Sequence, residues 1–131
     1  MRRALLTPLF ILLLTACSPV VKITLPNNSE LAKHGFILAE ETNSIFSPVI
    51  TGWEYLDSSH VIIHTGIKKA YLISLMSDCR ELGYTDKLRH TTTAGSLTVM
   101  DTILIKEFGS MHSKCPIRSI HRLQPNPSAD N

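Results

Sequence analysis

The sequence lacks nearly every local pattern that announces chemistry. Its three cysteines include one that ends the apolar N-terminal run, and the other two, Cys79 and Cys115, do not form a Cys-x-x-Cys motif. No Gly-x-Ser-x-Gly elbow, glycine-rich phosphate loop or His-Glu-x-x-His pair occurs, so the usual local signatures of serine hydrolases, phosphate-cradling enzymes and zinc proteases are missing. No internal repeat is visible. A sustained charge excess is also lacking: the chain has 13 Lys and Arg against 11 Asp and Glu, and Arg2 and Arg3 account for the whole difference. Without them the basic field that nucleic-acid binding requires is gone, and nucleic acid is not an expected partner. Finally, no apolar run reaches the roughly 20 residues of a spanning helix, because Thr7, Pro8 and Thr15 interrupt the N-terminal one.

What is present begins with targeting. Arg2 and Arg3 precede a mostly apolar stretch from Leu5 to Leu14, followed by Thr15, Ala16 and Cys17. This order resembles the lipobox of a bacterial lipoprotein, with an ordinary cleaved signal as the alternative. The resemblance implies removal of residues 1–16, fatty acylation (palmitate-class chains) of Cys17 as the new N-terminus, and anchoring to a membrane surface. Several acyl chains hold far more firmly than the single chain that gives only marginal binding. Ser18 follows the cysteine where an aspartate would resemble an inner-membrane retention signal, so the expected location is the outer membrane, facing the periplasm. About 115 residues then remain, enough for one small domain and a tether.

In that oxidising compartment Cys79 and Cys115 are expected to form a disulfide, worth ~3 to 4 kcal/mol on the chain-entropy model. The rival is a reactive thiol at Cys79, with Asp78 capping a helix whose N-terminus would lower the thiol pKa.

Along the chain, residues 17–43 read as a tether containing Pro19, Pro26, Asn27 and Asn28, in which Ser29 to Glu41 can form a short helix interrupted by Gly35. Residues 44–124 read as a small β-rich domain. Val49 to Leu56, Val61 to Thr65 and Ala70 to Met76 are rich in β-branched and aromatic residues and are separated by turn-formers, which predicts an antiparallel meander. Asp78 and Glu81 have capping-box spacing, with a helical turn over Cys79 to Leu82 ended by Gly83. Arg89 to Ser96 reads as a loop. Alternation from Leu97 to Lys106 predicts a fourth strand, with Asp101 on its more apolar side, read first as an edge or rim carboxylate bonded to a turn and alternatively as a buried acid paired with Arg118 or Arg122. Pro116 to Leu123 is a last strand, and residues 125–131 a disordered tail. The expected fold is mainly β, a small meander or partly open barrel with one short helical turn.

Ile50-Thr51-Gly52-Trp53, Leu56-Asp57, His60-Val61-Ile62-Ile63, Tyr71-Leu72, Cys79-Arg80-Glu81-Leu82, Asp101 and Cys115-Pro116-Ile117-Arg118-Ser119-Ile120 together resemble a family of small bacterial envelope proteins classed as a domain of unknown function. The resemblance spans about residues 44–123 and implies a compact β-rich domain with its two cysteines near one another. It implies no catalytic residue and no cofactor. Where some members carry a further cysteine before the first strand, Asn43 and Ser44 stand here.

The remaining candidates are weaker patterns. Trp53 and Tyr55 lie two apart, hence on one strand face, and are either core or a binding surface. His60 and His64 would share a strand face about 13 Å apart, too far to chelate one ion. Met111, His112 and Cys115 could make a soft metal site only with a reduced thiol, so no metal is expected. Asp57, Ser58, Ser59 and His60 bring hydrolase residue types together without the convergence that a triad needs, and read as a turn. Lys68 and Lys69 sit at a hairpin tip, facing lipid headgroups or simply water. A small tethered domain on the lipid anchor that the lipobox resemblance implies, with no catalytic pattern, is therefore expected to be a non-catalytic binding or structural module, with another envelope protein as a candidate partner. The alternative is an envelope enzyme or metal- and redox-handling protein using His112, Met111 and Cys115.

Overall fold

The computed structural model describes residues 24–46, 48–106 and 112–129. The expected signal segment, the acylation position Cys17 and the metal candidate Met111 lie outside the described residues.

The first element is a short helix, α1 (Asn28–Lys33). Asn27 caps it by accepting the Glu30 N–H at 2.9 Å, and Leu31 is its one buried residue. The helix was expected to run from Ser29 to Glu41. It stops at Lys33, because Gly35 turns the chain with φ +81° and the next residues pair with a distant strand. They form β1 (Phe36–Thr42), followed by β2 (Ser44–Phe46), β3 (Ile50–Asp57), β4 (His60–Thr65) and β5 (Lys69–Leu75). A 3-10 turn over Arg80–Tyr84 leads to β6 (Leu88–His90), β7 (Ser96–Thr98), β8 (Thr102–Lys106) and β9 (His112–Pro125).

All pairings are antiparallel. The main sheet has the order β3-β4-β5-β9-β8-β6 and curls into a half-barrel, with β1 also pairing β9; β2 and β7 form a separate ribbon. The protein is mainly β, and the expected meander is present as β3–β4–β5. The sheet does not continue as a plain meander, because β9 inserts beside β5. Its 14 residues serve both ends: the first part pairs β8, Thr102 opposite Pro116 to Lys106 opposite His112, and the last part pairs β1, Phe36 opposite Pro125.

Two of the expected elements divide differently. The predicted strand Leu97 to Lys106 is broken into β7 and β8 by a turn in which the Asp101 N–H donates to the Thr98 carbonyl at 3.0 Å. Part of the predicted loop Arg89 to Ser96 is β6, and the chain then reverses at Ala94 and Gly95, both with positive φ.

β4 and β5 are buried on both faces, which explains their nearly unbroken apolar runs. On one face Val61, Ile63, Tyr71 and Ile73 join Ile103, Ile105, Ile117 and Ile120 in the larger core, capped by Ile45 and Leu97 of the ribbon. On the other face Ile62, Ala70, Leu72 and Leu123 pack beneath Leu31 of α1 and Phe36 of β1. Each fully buried Leu or Ile contributes roughly 1.5–3 kcal/mol, so the short α1 is held by its one anchor and not by intrinsic helicity. Cys79 and Cys115 are joined as a disulfide within the larger core, with Cα atoms 6.1 Å apart and a sequence separation of 36. Among the described residues no helix is long and apolar enough to cross a membrane.

Candidate functional site

The half-barrel leaves β3 and β6 at the two ends of its strand order, and a groove of about 590 Å³ lies between them. Ile50 and Trp53 line it from the β3 side, and Leu88, Arg89 and His90 from the β6 side. Ile50, Trp53 and Leu88 are only partly buried and rest against the larger core, so the groove has an apolar floor. Arg89 is exposed at its rim. Terminal strands carry main-chain N–H and C=O groups on their outer edges, which makes such a seam a template for an added extended chain. A second hollow, about 610 Å³ beside Glu81, Tyr84 and Asp86, has no sheet edge of comparable length.

Trp53 and Tyr55 pair with Ile63 and Val61 respectively, so the two share one strand face as the period-2 argument required, Trp53 packed against the larger core and Tyr55 exposed. Their surroundings differ. Trp53 is in the groove, whereas the Tyr55 ring lies over Gly83 of the 3-10 turn, where an added Cβ would meet it at 3.5 Å. Gly83 is therefore a contact position within the turn and does not end it.

The hydrolase grouping is dissolved by its hydrogen bonds. Ser58 and Ser59 both donate their hydroxyls to Asp78, at 3.2 and 2.6 Å, and hold its carboxyl below the usual carboxylate range. Asp57 instead accepts from Ser59 N–H at 2.7 Å and lies 2.9 Å from His60 Nδ1. The four residues form the β3–β4 turn, with neither serine hydroxyl on a histidine. Because Asp78 is occupied in this way, Cys79 occupies the cap position of the 3-10 turn with no side-chain cap bond, and the expected capping box does not form.

The soft-metal grouping is likewise separated. The Cys115 sulfur is bonded to Cys79, and His112 is exposed at the start of β9, opposite Lys106. Among the described residues no group of three or more His, Cys, Asp or Glu side chains is arranged to hold a metal ion.

Two carboxylates tie separate elements of the fold together. Glu54 bridges two histidines, His34 Nδ1 at 2.7 Å and His64 Nε2 at 2.6 Å, and so ties the C-cap of α1 to β3 and β4. Partial burial opposes its ionisation, but the hydrogen bonds to His34 and His64 outweigh that and lower its pKa. Asp101 is buried and accepts from Thr98 N–H at 2.8 Å and from the hydroxyls of Thr91, Thr98 and Thr93 at 2.9, 2.9 and 3.1 Å. Desolvation alone would raise its pKa; these donors reverse the sign and lower it. Asp101 is thus buried, as one reading of the sequence required, but its partners are threonines of a turn and not Arg118 or Arg122. Arg122 lies 3.3 Å from Glu40 instead. A row of buried polar atoms, His60 Nε2, Ser74 Oγ and His121 Nδ1, has no hydrogen-bond partner among the described residues.

Fold and site together define a small, disulfide-closed β half-barrel with an open seam. The chain belongs to a family of unknown function (DUF6491), whose model matches residues 1–130. No curated protein and no solved structure matches the chain.

Proposed function

We propose that this chain is a lipid-anchored protein of the bacterial envelope, at the outer membrane and facing the periplasm, whose domain is a non-catalytic module that binds an extended polypeptide of another envelope component. The observation that carries the binding reading is the groove between the outer edges of β3 and β6, floored by Ile50, Trp53 and Leu88. An added strand would gain main-chain hydrogen bonds from two edges and place alternate side chains on the apolar floor. Compartment is supported separately, by the Leu14-Thr15-Ala16-Cys17 sequence and by a disulfide of the kind that persists where proteins are kept oxidised. An anchor also confines the search for a partner to a surface, which raises effective concentration.

Each half has its own test. Mass spectrometry of the protein from bacterial membranes is expected to find residues 1–16 removed and acyl chains on Cys17; a retained leader or an unacylated terminus overturns the anchor. For the groove, a photo-crosslinker at Arg89 in intact envelopes is expected to capture one polypeptide, and Trp53→Ala is expected to abolish that capture. The same yield with Trp53→Ala, or the same products from a crosslinker at exposed Tyr84, overturns the groove reading.

A further inference from the structure

One end of the molecule combines three exposed apolar side chains with two lysines. Ile67 is 97 % exposed in the β4–β5 turn, and Phe46 and Val49, from the end of β2 and the approach to β3, are 86 % and 71 % exposed. All three surround a depression of about 370 Å³ that Lys68 and Lys69 also line, with Tyr71 at its base; among the described residues no carboxylate lines it. Gly66 makes this end project, because its φ of +67° reverses the chain directly after β4.

From this arrangement we propose that the β4–β5 turn, with Phe46 and Val49 beside it, forms a docking tip that seats on an anionic phospholipid bilayer. Phe46, Val49 and Ile67 enter the boundary between headgroups and acyl chains, where an amphipathic surface buries its apolar side by roughly 5–10 Å. Lys68 and Lys69 follow Ile67 in sequence and so sit at the depth of the lipid phosphates, to which ammonium groups donate. Arg122 borders the same lysines but is engaged by Glu40 at 3.3 Å, leaving the lysines as the recognition charges. A bilayer fits better than a folded partner: the apolar atoms project from a turn instead of lying on a flat face, and the charge beside them has one sign. In one respect the proposal rests on the anchor reading. The seven residue-to-residue steps from Cys17 to Thr24 reach at most about 25 Å, comparable with the roughly 20 Å length of six-residue β4, so an acylated Cys17 keeps the tip within reach of the same membrane.

The test uses the full-length oxidised protein carrying Cys17→Ser, with a polarity-sensitive thiol probe at Ile67→Cys or, as a control, at Tyr84→Cys, toward the opposite end of the β4 strand. Ile67 and Tyr84 are exposed, and thermal melts verify that the variants fold. On phosphatidylcholine vesicles containing phosphatidylglycerol, the probe at 67 is expected to shift to the blue and to be quenched by a bilayer-embedded quencher, while the probe at 84 stays in water. Lys68→Glu with Lys69→Glu is expected to weaken the response by about tenfold or more. The proposal is overturned if the probe at 67 stays in water, if both positions are quenched alike, if charge reversal changes nothing, or if a photo-crosslinker at 67 in intact envelopes captures protein and no lipid. Serine at position 17 makes the vesicle result independent of acylation, so failure of the tip and failure of the anchor are separately visible.

Discussion

Asp101 shows how one side chain can decide where a strand ends. Its two oxygens collect the Thr98 N–H and three threonine hydroxyls, and its own carbonyl receives the Ile117 N–H at 3.1 Å, so the chain turns around it between β7 and β8. Removing the carboxylate in Asp101→Ala leaves buried donors without acceptors, at a cost of about 1–3 kcal/mol. Urea unfolding of the variant against the parent measures that loss, and an unchanged midpoint would remove Asp101 from its place in the fold. The sequence marked this residue as a polar intruder on an apolar face. It did not reveal the partners, because Thr91 and Thr93 read simply as loop residues, and alternation continues through the turn. An acid at such a position followed and preceded by several threonines was the available signal. Trp53 illustrates the opposite case: core and binding surface were both open readings, and the side chain rests on the core while lining the groove.

Among the elements, α1 and β1 were the least legible. Six residues carry too little periodicity to fix a helix boundary, and β1 owes its extended form to pairing with a strand over 80 positions away, information that no local window contains. β3, β4 and β5 were legible to within a residue or so, and for β4 and β5 the reason is burial on both faces, which demands nearly unbroken apolar runs. Glu54 holds the helical cap to the sheet through His34 and His64, and being more than a third exposed it contributes only about 0.2–1 kcal/mol, the range for exposed pairs. Its folded pKa is lowered, so this contribution is fully present above the unfolded carboxylate pKa of about 4.3 and is lost as pH falls through the lower folded value. Denaturant unfolding of the parent and Glu54→Gln between pH 5 and pH 3 is therefore expected to show a parental advantage that shrinks as pH falls below about 4.3. An advantage undiminished at pH 3 would contradict the clamp.

For the molecule as a whole, the disulfide and β9 bind distant parts of the chain together. Cys79 and Cys115 close a loop with a sequence separation of 36, for which the chain-entropy model gives about 3–4 kcal/mol. The double variant Cys79→Ser, Cys115→Ser is expected to lose that stability, lowering the thermal midpoint by roughly 10–25 °C for a domain of this size. A midpoint within a few degrees of the parent would show that the larger core holds without the bond. β9 has a different consequence. Because β1, β5 and β8 all zip onto this one strand, a chain emerging N-terminus first from a ribosome or a translocation channel cannot complete its main sheet until β9 has cleared the exit. The architecture thus keeps its own closure waiting for β9, a delay that suits any route requiring passage in an unfolded form.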